Sequence, residues 1–290
     1  MKFPFQTVAL IGKYKAPEIA EPLLRLAAFL TSQGVKVVVD SLTAEHLKDH
    51  PYRALTLDEI GSVVDLAIVM GGDGTMLNIA RTLSPCSVPL VGVNQGRLGF
   101  LTDLTLDNMQ EKLGAMLAGK FLIEERLLIA ARVVRGEVEV FRALAFNELV
   151  VHRSHFSSLL EFEVRIDGEY LSNQRADGLI VATPTGSTAY ALSAGAPILH
   201  PNLNVLELVP ICPHTLSNRP LVVNSSSVLE ILMHRSSDIS VRFDSHTEYN
   251  LQVNDKIIVT GHPQRACLLH PEGHSYYHTL REKLLWNQTL

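Results

Sequence analysis

The sequence predicts two domains of different class: a Rossmann-like parallel α/β domain over residues 1–125 and a β-sandwich-like domain over residues 126–270. Three observations carry this expectation. Short apolar runs alternate with stretches of helical periodicity in the first part. From residue 127 the pattern changes to period-two alternation broken by tight turns. A chain of 290 residues is also long enough for two domains of ordinary size.

The elements follow in order. Residues 8–11 form a short apolar strand. Pro17 suits the first turn of a helix, on which Leu23, Leu24, Ala27 and Leu30 recur at helical spacing. Gly34 punctuates, and residues 35–39 read as the next strand, closed by the polar Asp40. Residues 66–70 are a third strand, followed by a helix carrying Met76, Leu77, Ala80 and Leu83. A strand at 89–93 and an amphipathic helix at 106–117 complete the alternation, which argues for a parallel sheet with right-handed crossovers. Residues 127–134 and 138–144 flank Arg135-Gly136-Glu137 as a hairpin. Residues 160–166 alternate apolar and charged side chains, the pattern of a strand with one face in water, and Asp167-Gly168 turns it tightly. Short strands are expected at 221–223, 228–233, 239–243, 257–259 and 266–269, interrupted by a helix at 188–194. A terminal helix at 277–286 is expected within the segment 271–290, which packs back on the first domain.

Composition narrows the function. The apolar fraction of 47% supplies a core, and a formal net charge of −5 lacks the basic footprint of a nucleic-acid binder. Small molecules are the expected partners. No apolar run approaches the roughly 18 residues of a membrane span. The start, Met1-Lys2-Phe3-Pro4 running into residues 8–11, is too short for a secretory signal. Cys86, Cys212 and Cys267 fit no metal spacing and are odd in number, which favours a reducing, cytoplasmic compartment.

Met70-Gly71-Gly72-Asp73-Gly74-Thr75-Met76-Leu77 joins a buried strand to an amphipathic helix. Glycines let the backbone turn sharply beside a ligand, and the helix N-terminus attracts anions. A carboxylate there is repulsive to phosphate unless it binds Mg²⁺ or orients an attacking hydroxyl and takes its proton. The plainer alternative is that Asp73 caps the helix. Neither a P-loop nor a full GxGxxG occurs. A second stretch runs from Arg175-Ala176-Asp177-Gly178 through a buried strand to Thr183-Pro184-Thr185-Gly186-Ser187-Thr188-Ala189-Tyr190-Ala191-Leu192-Ser193-Ala194-Gly195. Its hydroxyls and N–H groups suit phosphate and ribose, Tyr190 can stack on a base, and Asp177 can accept from ribose hydroxyls. A turn and helix cap would explain the same residues. Asn147-Glu148 lies between the two stretches.

Together with the Pro210-Ile211-Cys212-Pro213-His214…Arg219-Pro220 segment, these motifs resemble the NAD kinase family over roughly residues 65–270. The Gly-Gly-Asp-Gly-Thr loop alone is shared with lipid kinases and, shortened, with phosphofructokinases; the combination is specific. The resemblance implies transfer of the γ-phosphoryl group of ATP to the 2′-hydroxyl of the adenosine ribose of NAD, with Asp73 as general base. It implies that Gly71, Gly72, Gly74 and Thr75 shape the phosphate loop and that Phe100 lies against adenine. Asn147, Glu148, Arg175 and Asp177, with Thr188, Ala189, Tyr190, Ala191, Leu192 and Ser193, would bind NAD. His246 takes such a contact too, in Asp244-Ser245-His246 where the family has Asp-Gly-Gln or Asp-Ser-Gln. A divalent cation, Mg²⁺, would accompany ATP with no protein residue assigned as its ligand, and the chain would form a homodimer or homotetramer.

Two rivals remain at this point. One is a lipid or sugar kinase using the same loop; the other is an NAD(P)-binding dehydrogenase or a non-catalytic nucleotide sensor. His270, His274 and His278 repeat every four residues, but Pro271 and Gly273 break the helix that would align them, so they are expected at the surface.

Overall fold

The structure, a computed structural model, describes residues 5–14, 16–47, 50–96, 99–153, 159–235 and 238–286. Leu98, beside the expected adenine contact Phe100, lies outside them. The chain forms two compact units, Met1–Glu125 with Ala266–Leu290, and Arg126–Arg265.

In chain order the first unit opens with β1 (Thr7–Gly12), α1 (Ala20–Ser32), β2 (Lys36–Asp40), α2 (Ser41–Ala44), β3 (Arg53–Leu55), α3 (Leu57–Val63), β4 (Leu66–Met70) and α4 (Asp73–Leu83). Then come β5 (Leu90–Asn94), β6 (Leu104–Thr105), α5 (Met109–Leu117) and β7 (Phe121–Arg126). The second unit holds β8 (Ile129–Arg135), β9 (Val138–Ala145), β10 (Glu148–Arg153), β11 (Leu160–Ile166), β12 (Glu169–Ala176) and β13 (Gly178–Ala182). It continues with α6 (Tyr190–Ser193), β14 (Val205–Ile211), β15 (Leu221–Asn224), β16 (Leu229–Arg235), β17 (Ile239–Phe243), β18 (Thr247–Leu251) and β19 (Lys256–Gly261). The chain then returns to the first unit as β20 (Ala266–Pro271) and α7 (Tyr276–Leu284).

The first sheet runs β3-β2-β1-β4-β5-β20-β7, with β6 added on β5. Its pairs from β3 through β20 are parallel. Every residue of β4 and β5 is buried, which explains runs that are apolar without alternation. Helix α1 buries Leu23, Leu26, Ala27 and Leu30 along one stripe. Asp40 ends β2 and caps α2 through the Thr43 N–H; α3 carries a capping box of Thr56 and Glu59. Strand order reverses between β1 and β4, and at such a point a parallel sheet opens a crevice beyond its carboxyl ends. The loop after β4 sits there.

In the second unit two antiparallel sheets, β15-β14-β13-β10-β17-β18 and β12-β11-β16-β19-β8-β9, bury Leu149, Val181, Val241 and Phe243 of one against Val133, Phe162, Ile231 and Val259 of the other. This is the expected sandwich.

Two expectations need correction. Residues 266–269 read as a further sandwich strand, but β20 pairs parallel with β5 at Leu268 and Leu90. A short apolar run specifies burial and not its partner. The histidines are the second. His278 is exposed, but His270 is buried and His274 half-buried. Both reach Asp103, and His270 Nε2 also reaches Glu124 at 2.9 Å. Their proximity comes from strand and turn geometry and needs no helix.

Candidate functional site

In the first unit, the loop after β4 places Asp73 at the first residue of α4, beside an N-cap Gly72 with extended backbone. The Asp73 carboxylate does not cap its own helix. It reaches 27 and 28 residues along the chain, accepting from the Phe100 N–H at 2.8 Å and the Leu101 N–H at 3.0 Å. Gly99 makes this possible: a Cβ built there would lie 2.0 Å from Asp73 Oδ1. A Cβ at Gly72 or Gly74 would meet nothing within 4 Å, so the space flanking Asp73 is open. Gly71 plays a different part, donating its N–H to Val93 and tying the loop to β5. Thr75 donates back to the Gly72 carbonyl. The first N–H groups of a helix have no intrahelical acceptor, so this end of α4 is a place for an anion. The segment bearing Phe100 is pinned in turn by the hydrogen bond from Asn94 Nδ2 to Thr102 Oγ1, 3.0 Å long. Phe100 is half-buried, and Lys283 of α7 lies 5.8 Å from its ring centre.

In the second unit, the structure joins the two stretches that the sequence singled out. The Thr183 N–H donates to the Asn147 carbonyl at 2.8 Å and its hydroxyl to the Phe146 carbonyl at 2.7 Å. Gly186 lies so close that a Cβ would stand 2.2 Å from the Asn147 oxygen. Asp244, at a φ of 43°, accepts from the N–H groups of Phe146, Asn147 and Glu148. A cavity of about 440 Å³ opens on this face of the sheet, lined by Glu148, Asp177, Tyr190, Arg153, Arg242 and Asp244 among others. Glu148 is buried and its Oε2 has no hydrogen-bond partner. Burial, and then the charge of Asp244, push its carboxyl up to about 8. Asp177 is held by Arg153 at 2.8 Å, and Tyr190 is partly exposed. The pocket thus offers acceptors for hydroxyls, a ring for stacking and guanidinium groups for anions.

The other expected residues take several places. Thr188 bonds back to the Thr185 carbonyl. Ala189 precedes α6, Ala191 packs into the small core with Ile180 and Val209, and Leu192 and Ser193 follow on α6. Arg175 is not drawn into the cavity; it lies on β12 of the other sheet, exposed, and pairs with Glu161 at 3.1 Å. His246 is exposed in the β17–β18 turn, while its neighbours Asp244 and Ser245 line the cavity. Sequence reasoning named Asp244 only within its triplet, without a role, and passed over Arg153, Arg242 and Glu207. Glu207 is fully buried with both carboxylate oxygens unpaired, in register with Ala182, which is itself in register with Glu148. The signal for Asp244 was a polar triplet at the end of a strand whose first residue matches the family's Asp-Gly-Gln or Asp-Ser-Gln.

Known proteins resemble this chain along nearly its whole length. Residues 8–121 match the family model for the ATP-NAD kinase N-terminal domain, and residues 146–270 match that for the ATP-NAD kinase C-terminal domain. The chain is 57% identical over 286 residues to an NAD kinase of Nitrosomonas europaea, covering 99% of this chain and 97% of the relative. It is 51% identical over 284 residues to an NAD kinase of Burkholderia thailandensis, covering 98% and 95%. Among solved structures, yeast NADH kinase complexed with NADH matches with a TM-score of 0.90 at 26% identity, covering 99% of this chain and 89% of that one. An NAD kinase from Archaeoglobus fulgidus in complex with ATP matches with a TM-score of 0.72 at 25% identity, covering 97% of each.

Proposed function

The chain belongs to the NAD kinase family, and we propose that it transfers the γ-phosphoryl group of ATP to the 2′-hydroxyl of the adenosine ribose of NAD, giving NADP and ADP. The observation that carries the residue-level reading is the Asp73 carboxylate, fixed by two backbone N–H groups at the mouth of a glycine loop with open space on either side. In this reading Asp73 accepts the proton of the 2′-hydroxyl as that oxygen bonds to the γ-phosphorus and the bond from γ-phosphorus to the bridging oxygen breaks. The N-terminus of α4 stabilises the phosphoryl charge. Glu148, Asp177 and Tyr190 bind NAD, supported by their meeting on one cavity; Asn147 and Thr188 stand beside them in the sequence.

A divalent cation fits this loop as a companion of ATP: Asp73 is its one carboxylate, and Mg²⁺ commonly binds through one or two carboxylates with substrate phosphates and water. When bound it neutralises phosphate charge. Among the described residues no helix is long and apolar enough to cross a membrane, and the three cysteines are free. The reading of a cytoplasmic homo-oligomer is carried from the family resemblance, and light scattering would measure its mass.

The test is NADP formation from NAD, ATP and Mg²⁺ by the wild type and Asp73→Asn. Loss of a positioned base lowers turnover by about 10²–10⁴-fold, with NAD affinity retained. Equal turnover in both proteins would remove the assigned base. A wild type that phosphorylates a lipid or sugar but not NAD would overturn the substrate.

A further inference from the structure

We propose that Asp103, His270 and His274 form a binding site in the first unit for a divalent transition-metal ion of borderline softness, represented by Zn²⁺, with Glu124 as the carboxylate that orients His270. The three residues come from the segment before β6, from β20 and from the turn into α7. Each offers a ligand atom, and these atoms lie within 4.8 Å of one another. Two imidazoles and a carboxylate make a donor set suited to such ions and poorly suited to Mg²⁺.

Three further features point to an ion. Glu124 Oε2 lies 2.9 Å from His270 Nε2, on the ring edge away from Asp103. A carboxylate in that place fixes the tautomer whose other nitrogen, Nδ1, is the metal ligand. The two rings are stacked, with centres 4.0 Å apart and planes at 19°, an arrangement that tolerates one imidazolium and disfavours two. His274 Nδ1 is 3.0 Å from Asp103 Oδ1, so one carboxylate faces both Nδ1 atoms. His270 faces a carboxylate through each ring nitrogen, Asp103 at Nδ1 and Glu124 at Nε2, and so donates from both.

The exchange balances. Bonds form from the ion to His270 Nδ1, His274 Nδ1 and one Asp103 oxygen. The Nδ1–H bond of His270 breaks and its proton passes to solvent. The His274 proton moves from Nδ1 to Nε2. One proton is released per ion. The ion would join three separate stretches of chain, and Asp103 stands two residues beyond Leu101, a donor to Asp73. The site would therefore brace the segment that holds that carboxylate.

The experiment uses the full chain stripped with a chelator and titrated with Zn²⁺ in two buffers of different ionisation enthalpy. The expected result is one ion bound and about one proton released. His274→Gln and Glu124→Gln should each weaken binding by about 10–100-fold, whereas His278→Gln, at an exposed residue outside the cluster, should leave binding as in the wild type. Co²⁺ substitution of the wild type, which relies on no variant folding, should give two paramagnetically shifted imidazole N–H resonances. Absence of Zn²⁺ uptake, release of no proton, or equal affinity in folded His274→Gln would overturn the proposal.

Discussion

Asp73 and Asp244 are both held by backbone N–H groups, two for the first and three for the second. Such donors orient a carboxylate without cancelling its charge. Asp244→Ala would strand buried donors and should cost roughly 1–3 kcal/mol in urea unfolding. Asp244→Asn keeps one acceptor oxygen and a side chain that tolerates positive φ, and should cost less. Glu148 makes a pH prediction. Its folded carboxyl is raised to about 8, above the ordinary 4.5, so the folded state holds more protons between those values. Stability must then fall as pH rises from about 4.5 to about 8. Glu148→Gln mimics the protonated form: its melting temperature should match the wild type near pH 5 and exceed it near pH 9. A difference that did not grow with pH would refute this. Asp73 was legible in the sequence because its glycines announced it. Asp244 was not, because its role depends on backbone donors nearly a hundred residues away.

The strand–loop–helix of β4 and α4 was legible element by element, since an unbroken apolar run followed by helical spacing has few other solutions. What the sequence could not reveal was the second strand of chain that completes it. The segment at Phe100 and Leu101 has no periodic pattern, yet it supplies both donors to Asp73. Gly99→Ala should therefore act on turnover: its Cβ would displace the carboxylate, and a misplacement of about 1 Å can cost about 10²-fold. A wild-type kcat would refute the idea. Gly186→Ala acts instead on packing, since its Cβ drives into the Asn147 carbonyl. About 1–3 kcal/mol of destabilisation is expected in denaturant unfolding.

At the scale of the molecule, the two fold classes were legible from the change of hydrophobic period, but the path between them was not. β20 looks like any short buried strand, and only its register on Leu90 assigns it to the first sheet. The second unit is thus an insertion between β7 and β20. A chain ended at Arg265 lacks the strand between β5 and β7 and leaves their backbone edges unpaired. Limited proteolysis should cut its first 125 residues readily while residues 126–265 resist; equal resistance of both would contradict this. The same threading bears on synthesis. At about 5–20 residues per second, translation of the inserted unit keeps a nascent chain waiting for roughly 7–28 s with an unfinished sheet. Through that interval the half that carries Asp73 is a client for chaperones, and the ribosome must deliver the sandwich before the half made first can close.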